Sequence, residues 1–549
     1  MKRKFIVSTK RRIAVPTHPR RLGGVAALAG LMSSMMSFTP VSTRAEAQAA
    51  PSGTLTWGIT SIDSSLDPGL LYALDPNVVS AAECNSLVQY GPQGQLEPEL
   101  ASSWKQTSPT TIVYNLVHDA RFWDGDPVTP RDVAFSVNRI FNPTLASPVL
   151  SLMHTGDIKK AVVTGKWQVT IKLSQPNPIA VDLAATPVGQ VVQESWVKKW
   201  GSAFGTAPNK VMCSGPYRPV SYEKGTETTL DAVSNYWDKR AMPKIQKIQF
   251  IQVADVEALL SGLRSGEIDG TYDLPARDAE TLIGDRNLKV DMVRYAGDTN
   301  FLDLTVTKGP FKNPLLRRAW NLAAPRSELA SAVDGKYGEP LKGFVTPALF
   351  TNHSKLYWAA YDALPNPITP NIPEAKKLVA EAHDLGKTVT IAIESNLFSN
   401  VLAAALEQMA TSIGMHAKVA KLTSAAYSVI DYDSVCPRPY DAMWSYWGPD
   451  FPQPSAELVP PLASIYSDNP CYFSGAFDKL RAEWAHAPND SLAQVNATIG
   501  MMKLITKENI YVPLWSDPLV MVEPKNLTGY TQTQVFIYQD MPDQVHFTS

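Results

Sequence analysis

A strand–helix–strand pattern in the second half of the chain constrains the fold most strongly. Val389, Ile391 and Ile393 are large apolar residues at alternate positions, as in a strand. Residues 401–413 carry the apolar spacing of a helix that ends at Gly414, and residues 417–419 predict another strand. Two strands joined by a helix pair in parallel, because the helix carries the chain back across one face of the sheet. The sequence therefore predicts an α/β fold that contains parallel sheet.

Helix caps occur elsewhere in the sequence, but no clear linker divides it. Thr129 is followed by Pro130 and Asp132, which predicts a helix that begins with a capping box. Asn313 and the proline after it predict the start of another helix. The 549 residues suffice for three or four domains of about 150 residues each. We therefore expect domains that are interwoven through several chain crossings.

The composition fits a large folded protein. Apolar residues make up 44% of the chain and charged residues 19%, which excludes a wholly disordered or coiled-coil chain. From residue 50 onward the chain has 41 basic and 51 acidic residues, a formal charge of −10. This charge argues against nucleic acid as a partner.

The first 49 residues have the pattern of an export signal. Eight basic residues and no acid fall within residues 1–21, and a charge-free, largely apolar stretch follows to residue 43. Two A-x-A sites then end at Ala47 and Ala49. We expect residues 1–49 to be a signal peptide that is cleaved near Ala47 or Ala49. A retained membrane anchor is the alternative.

The export route stays open, whereas the destination is predicted. Arg20-Arg21 fits either a twin-arginine signal or an ordinary basic segment. No cysteine precedes residue 84, so the sequence offers no cysteine for a bacterial lipid anchor. We therefore expect a periplasmic protein that is not a lipoprotein.

The cysteine count permits disulfides in an exported protein. The four cysteines are Cys84, Cys213, Cys436 and Cys471, and three pairings are possible. A bridge between Cys436 and Cys471 would close a short loop and is weakly favoured. The interpretation that Cys84 and Cys213 are buried free thiols is about as good.

The common catalytic and metal-binding motifs are missing from the sequence. It has no phosphate-binding loop, no H-E-x-x-H, no G-x-S-x-G and no C-x-x-C, and its eight histidines are scattered. Ser214 has no base nearby in the sequence to activate it. We therefore expect no catalytic residue, no metal site and no cofactor.

An aromatic segment around one acid is the most distinctive candidate site. It comprises Asp450 with Trp444, Tyr446, Trp447 and Phe451. If residues 442–446 form a strand, Trp444 and Tyr446 share a face, and Asp450 lies where α/β sheets bind ligands. Aromatic walls and one negative charge suit a cation with an apolar body. An aromatic core cluster in which Asp450 caps a turn is an equally good interpretation.

Several blocks of residues occur in a fixed order along most of the chain. They are L-E-P-E-L-A-S-S-W at 96–104, F-W-D-G-D-P-V-T at 122–129, D-V-A-F-S at 132–136, S-G-P-Y at 214–217, N-Y-W at 235–237, L-R-S-G-E-I-D at 263–269, G-E-P at 338–340 and W-G-P-D at 447–450. In these blocks the chain resembles the family 5 extracellular solute-binding proteins, the peptide-binding receptors of ABC importers. The resemblance covers essentially all of residues 53–530.

This resemblance implies a two-lobed α/β fold of the periplasmic-binding-protein type II, with hinge strands and an extra subdomain inserted in lobe I. The implied ranges are 50–85, 206–297 and 513–549 for lobe I, 86–205 for the extra subdomain, and 298–512 for lobe II. The ligand would be enclosed when the lobes close.

The resemblance also implies a role for the aromatic segment. In peptide-binding members the acid of the W-x-x-D motif binds the α-ammonium group of the peptide, which corresponds to Asp450 here, with Trp447 beside it. Trp444, Tyr446 and Phe451 are expected as further ligand contacts. The implied protein is a monomer without enzymatic activity that delivers a peptide or similar solute to ABC transporter permease subunits in the inner membrane.

Two departures from the family pattern leave the ligand open. Some dipeptide-binding members have a base after the strand that corresponds to 389–393, and residues 394–400 contain none. Trp444 stands where another peptide receptor has a basic residue. A longer peptide or a compound stacked on Trp444 and Trp447 fits these departures, and relatives also carry opines, oligosaccharides, metal chelates or haem. An exported hydrolase on the same scaffold is the alternative of another class.

Overall fold

The computed structural model describes residues 52–62, 65–91, 94–253, 255–294, 297–396, 398–423, 426–427, 430, 438–462, 471–529 and 545–548. The predicted signal peptide and Cys436 lie outside the described residues.

The described strands are β1 Thr54–Ile59, β2 Val88–Tyr90, β3 Leu96–Pro98, β4 Ala101–Ser108, β5 Thr111–Leu116, β6 Ile158–Gly165, β7 Gln168–Leu173, β8 Tyr217–Glu223, β9 Glu227–Ala232, β10 Lys247–Gln252, β11 Gly270–Thr271, β12 Leu288–Val293, β13 Thr299–Leu304, β14 Glu339–Pro340, β15 Thr388–Glu394, β16 His416–Leu422, β17 Ala442–Trp447, β18 Tyr511–Ser516, β19 Leu519–Pro524, β20 Leu527–Thr528 and β21 His546–Phe547. The described α-helices are α1 Leu74–Glu83, α2 Pro130–Arg139, α3 Leu150–Thr155, α4 Glu194–Trp200, α5 Val256–Ser265, α6 Ala276–Ala279, α7 Pro314–Ala323, α8 Arg326–Asp334, α9 Ser354–Asp362, α10 Ile372–Glu381, α11 Ser399–Ser412, α12 Val459–Leu462, α13 Gly475–His486 and α14 Leu492–Glu508.

The helix starts follow the predicted caps. The Thr129 side chain accepts a hydrogen bond from the Asp132 backbone, and Asp132 accepts one from the backbone of Thr129, so the predicted capping box of α2 is confirmed. Asn313 caps α7 through its side chain. These local contacts satisfy backbone N–H groups that have no partner inside the helix.

A seven-stranded sheet has the order β12-β19-β11-β1-β10-β9-β8. Strand β1 pairs in parallel with both β10 and β11, and the other pairs of this sheet are antiparallel. Separately, β4, β5, β7 and β6 form an antiparallel four-stranded sheet.

A six-stranded sheet has the order β14-β18-β13-β17-β15-β16. Strands β15 and β16 pair in parallel from Thr388 and His416 to Glu394 and Leu422, so the predicted strand–helix–strand unit is confirmed. Helix α11 joins the two strands and buries its apolar face in the same core cluster as Ile391. Strand β17 is also parallel to β15, which places the carboxyl ends of β15, β16 and β17 at one edge of this sheet.

The chain crosses between the two large sheets at two places, from β12 to β13 and from β18 to β19. The two connections lie side by side. The Asp517 backbone N–H donates to Asp298 O at 3.0 Å, and the Gly297 N–H donates to Asp517 O at 3.0 Å. The crossings agree with the absence of a linker in the sequence, while the assignment of residue ranges to two lobes and a subdomain stays a prediction.

Cys84 and Cys213 form a disulfide, which joins the end of α1 to the segment before β8. The interpretation of these residues as buried free thiols is therefore wrong. Cys471 is also disulfide-bonded. In the parts of the chain that the structure describes, no helix is long and apolar enough to cross a membrane.

Candidate functional site

The predicted site segment leaves the carboxyl end of β17. This strand lies between β13 and β15 in the six-stranded sheet, and Trp447 pairs with Thr299 of β13. The rings of Trp444 and Tyr446 have centroids 5.3 Å apart, which confirms the predicted strand and its shared face. Residues 448–451 therefore begin close to the crossing from β12 to β13.

The four aromatic residues differ in their access to solvent. Trp444 is 1% exposed, and its ring packs edge-on against Phe398. Phe451 is 0% exposed and also belongs to a core cluster. Tyr446 is 39% exposed, whereas Trp447 is half-buried and donates its indole N–H to Ala456 O at 3.3 Å. Contact of any of these side chains with a ligand stays a prediction.

Asp450 is 4% exposed and lies opposite a tyrosine from a distant part of the chain. The hydroxyl of Tyr72 donates to its carboxylate, with the phenol oxygen 3.1 Å from Oδ2 and 3.3 Å from Oδ1. Tyr72 precedes α1 and is 378 residues away in sequence. Burial removes water from this carboxylate, and the hydrogen bond from Tyr72 replaces part of the lost hydration. The bond therefore stabilises the buried group.

The segment also passes close to a second acid. A Cβ atom added at Gly448 would lie 2.6 Å from Oδ1 of Asp298, so only glycine fits beside that carboxylate without a shift. On the other side, a Cβ atom added at Gly94 would lie 3.4 Å from Pro452 Cγ. Gly94, which lies between β2 and β3, is therefore close to Pro452, two residues after Asp450.

A basic residue reaches the segment 394–400 from a neighbouring strand. Lys421 on β16 donates its ammonium N–H to Oδ1 of Asn400. Because β15, β16 and β17 run in parallel, Lys421 lies at the same sheet edge as Asp450. Residues 394–400 themselves contain no base, and the sequence carries no local signal for the strand pairing that brings Lys421 near them.

Carboxyl groups gather at the two chain crossings. The indole N–H of Trp515 lies within hydrogen-bond distance of both Asp517 Oδ1, at 2.6 Å, and Asp334 Oδ2, at 3.0 Å. Asn300 Nδ2 donates to Asp517 Oδ2 at 2.9 Å. Desolvation and the charge of Asp334 hold the pKa of Asp517 well above its usual range. Desolvation, with the charge of Asp517, raises the pKa of Asp298 to about 7.

Glu457 is a further buried acid close to these crossings. It accepts hydrogen bonds from the Thr299 hydroxyl at 2.8 Å and from the Thr346 backbone N–H at 2.6 Å. Burial outweighs both hydrogen bonds and raises the pKa of Glu457 to about 8. Its neutral form is therefore the one that the fold favours.

The raised pKa of Glu457 predicts a pH effect on stability. The folded protein binds this proton more tightly than the unfolded chain, whose Glu has a pKa of about 4.3. The contribution of Glu457 to stability is therefore complete below about pH 4.3 and is lost as the pH rises through about 8. We expect urea unfolding to show a smaller loss of stability from about pH 5 to about pH 8 in Glu457→Gln than in the unsubstituted protein.

The control for this measurement is Glu407→Gln, which changes an exposed acid on α11. It should reproduce the pH dependence of the unsubstituted protein. Parallel pH curves for Glu457→Gln and the unsubstituted protein would contradict the assignment of this effect to Glu457.

Residues 95–467 match the sequence profile of the bacterial extracellular solute-binding proteins, family 5 Middle. The chain belongs to this family. The resemblance found in the sequence blocks is therefore confirmed, and family 5 is a family of solute-binding proteins.

Two curated relatives of this family 5 chain cover most of its length. The periplasmic oligopeptide-binding protein OppA of Salmonella typhimurium is 24% identical over 489 residues, which are 84% of this chain and 88% of that protein. The glutathione-binding protein GsiB of Salmonella choleraesuis is 24% identical over 429 residues, which are 76% of this chain and 80% of that protein.

Solved structures confirm the predicted fold class. DppA from Helicobacter pylori, an ABC transporter-associated periplasmic binding protein in complex with the peptide STSA, matches with a TM-score of 0.77 and 19% identity, over 90% of this chain and 98% of its own. AgaA from A. tumefacien R10, in complex with agropinic acid, matches with a TM-score of 0.77 and 21% identity, over 90% of this chain and 99% of its own. At these identities the likeness concerns the fold alone.

Proposed function

We propose that this protein is a periplasmic receptor that encloses a peptide or similar amine-bearing solute between two lobes and delivers it to an ABC importer. The observation that carries the proposal is the position of Asp450. Its carboxylate is almost fully buried at the end of β17, yet it contacts Tyr72 from the part of the chain that forms the other large sheet. A ligand amine bound to Asp450 would therefore lie between the two sheets.

The chemistry of such an anchor favours an ammonium group. A carboxylate has two oxygens and about four lone-pair sites, so it can accept from Tyr72 and from an ammonium at the same time. A hydrogen bond between charged groups contributes about 1.5–3 kcal/mol. Trp447 and Tyr446, the accessible aromatic residues of the segment, are proposed to contact the rest of the ligand, with Trp444 and Phe451 behind them.

Closure of the protein around its ligand is supported by contacts on both sides of the segment. Tyr72 and the turn at Gly94 approach Asp450 and Pro452. A ligand that contacts both sides only in the closed form shifts the population toward that form. The bodies that would move are the two predicted lobes. Lobe I comprises 50–85, 206–297 and 513–549 with the inserted subdomain 86–205, and lobe II comprises 298–512.

The sequence and the relatives support the proposed location and partners. The pattern of residues 1–49, with cleavage near Ala47 or Ala49, supports export to the periplasm without a lipid anchor. OppA is named as a periplasmic protein, and the DppA structure is described as ABC transporter-associated. We propose a monomer that works with permease subunits in the inner membrane and catalyses no reaction.

A non-peptide ligand is the second candidate, because residues 394–400 contain no base that could bind a peptide carboxylate. Lys421 supplies one cation at the same sheet edge, and Asp298, whose pKa is raised to about 7, is a second acid beside Gly448. The AgaA structure holds agropinic acid, so this fold accommodates such a ligand elsewhere.

The test is to identify the bound solute. The mature chain from residue 50 is expressed, purified without a ligand wash, and denatured, and the released molecules are identified by mass spectrometry. A set of short peptides would support the proposal. A single non-peptide compound would keep the receptor role and remove Asp450 as the anchor of a peptide ammonium. Cleavage of a peptide library by the purified protein would overturn the proposal in favour of a hydrolase.

A further inference from the structure

Asp298 lies against the predicted ligand segment, and the anchor at Asp450 does not use it. It immediately precedes Thr299, which pairs with Trp447 of β17. A Cβ atom added at Gly448 would lie 2.6 Å from Asp298 Oδ1, so this oxygen packs against the backbone of the W-G-P-D motif. The residue is half-buried, and its carboxylate accepts no hydrogen bond from any described residue.

The oxygens of Asp298 are open to a ligand. Both carboxylate oxygens of Glu83 are sealed inside the fold with no partner in the described part of the chain, whereas neither oxygen of Asp298 is buried in this way. Asp298 is therefore a desolvated acid that a donor from outside the protein can still reach. A carboxylate that has lost part of its hydration gains from such a donor, most of all from a charged one.

The titratable groups that act on Asp298 are all acids. The charge of Asp517, from the other chain crossing, adds to the desolvation that raises the pKa of Asp298 to about 7. Asp298 in turn raises the pKa of Glu457, and Asp334 raises that of Asp517. Among the described residues, no lysine, arginine or histidine contributes to the pKa of Asp298, Glu457 or Asp517. This part of the site therefore lacks a positive charge, which a ligand can supply.

The geometry indicates an organic cation. No three histidine, cysteine, aspartate or glutamate side chains of the described ranges are grouped so that they could hold a metal ion. Gly448 and Asp450 are two positions apart, so their Cα atoms are separated by at most about 7 Å. Asp298 Oδ1 lies beside the first of them. The two ammonium groups of a lysine residue are joined by six bonds of about 1.5 Å, which is long enough to reach both acids.

We propose that Asp298 is a second cation-binding residue of the ligand site, and that the preferred cargo carries two ammonium groups about six bonds apart. A peptide whose first residue has a basic side chain fits this description, and so does a free diamine of that length. The inference rests on the proposed function, because Asp450 binds the first ammonium group and Asp298 binds the second. A ligand with a neutral first side chain leaves Asp298 without a counter-charge.

The test compares two tripeptides by isothermal titration calorimetry of the mature chain at pH 7. Lysyl-alanyl-alanine should bind at least about tenfold more tightly than norleucyl-alanyl-alanine, whose first side chain has a similar length and no charge. Asp298→Asn should remove this preference. The substitution breaks no hydrogen bond within the described residues and removes a repulsion with Asp517, so the fold is retained. Asp362→Asn changes an exposed aspartate on α9 and should keep the preference. Asp450→Asn should weaken both peptides and also keep it.

Proton exchange on binding gives a readout that a purely structural role would not change. An ammonium group beside Asp298 lowers the pKa of this acid from about 7, so the bound form holds fewer protons at pH 7. The lysyl peptide should therefore release more protons than the norleucyl peptide. Calorimetry in buffers of different ionisation enthalpy measures this difference, and Asp298→Asn should abolish it.

Equal affinity of the two peptides for the unsubstituted protein, or a preference that survives Asp298→Asn, would overturn the inference and leave the proposed function intact. An equal loss of both affinities in Asp298→Asn would also overturn it, since that result describes a structural role. Pentane-1,5-diamine and pentylamine are titrated in parallel. If neither peptide binds but the diamine binds through Asp298, the peptide part of the proposed function fails and the second cation site stands. If none of the four compounds binds, both are wrong.

Discussion

Replacing Asp450 by Asn is expected to weaken the binding of an amine-bearing ligand by at least about tenfold, because a charged hydrogen bond contributes about 1.5–3 kcal/mol. Asparagine has nearly the same shape and keeps an oxygen that can accept from the Tyr72 hydroxyl. The substitution therefore removes the negative charge with little change in packing. Isothermal titration calorimetry with the ligand identified by mass spectrometry measures the effect.

Comparing two ligands shows whether Asp450 binds the amine itself or only adds negative charge to the protein. The unsubstituted protein should bind the free amine more tightly than its N-acetyl derivative, and Asp450→Asn should lose most of that preference. Glu407→Gln is the control, because it removes one negative charge from an exposed position on α11. An equal loss of affinity in both variants would assign the effect to net charge instead of Asp450.

Tyr72→Phe completes a double-mutant cycle with Asp450→Asn. The phenylalanine keeps the ring that packs against the core and removes the hydroxyl that donates to Asp450. If Tyr72 acts through the carboxylate, the two substitutions together should cost less affinity than the sum of their separate effects. Additive effects would place Tyr72 outside the anchor.

The sequence allowed local elements to be predicted because the interactions that form them are local. The capping box joins Thr129 and Asp132, which are three positions apart. The alternation in β15 arises because successive side chains of a strand point to opposite faces. The parallel pairing of β15 with β16 followed from the helix between them. Each of these features is decided within about 35 residues, so a single sequence contains the relevant signal.

The site was only partly accessible to the same reasoning. Tyr72 and Asp450 are 378 residues apart, and no pattern around either residue indicates that they meet. Asp298 approaches Gly448 because two strands pair across the sheet, and the spacing of residues does not encode that approach. The burial of Trp444 is likewise decided by Phe398 and the surrounding core, since the sequence segment suits an exposed aromatic wall and a core cluster equally well.

Contacts between distant parts of the chain decide whether Cys84 and Cys213 are free thiols or form a disulfide. The Gly215 N–H donates to Glu83 O at 2.9 Å, and the Trp123 indole donates to Gly215 O at 3.0 Å. These bonds hold the segment before β8 against the end of α1. A Cβ atom at Gly215 would lie 2.4 Å from Glu83 O, so the glycine permits the approach that brings the two cysteines together.

Removing this disulfide is expected to cause a large loss of stability. The bridged cysteines are 129 residues apart in sequence. In the chain-entropy treatment, cross-linking a loop of that length stabilises the folded state by about 5 kcal/mol relative to the open unfolded chain. We expect Cys84→Ala combined with Cys213→Ala to lower the free energy of unfolding by about 2–5 kcal/mol in guanidinium titrations at constant pH.

Two comparisons distinguish the cross-link from the packing of the sulfur atoms. Val211→Ala truncates a residue of the same buried cluster and should cost about 0.5–3 kcal/mol under both oxidising and reducing conditions. Reductant should destabilise the unsubstituted protein more than the double-alanine variant. Because Cys471 is also in a disulfide, reduction acts on both proteins at that second bridge, and only the difference between them reports on Cys84 and Cys213. An identical response to reductant would mean that the bridge stabilises the fold through packing alone, since the loop-closure contribution exists only while the bond is intact.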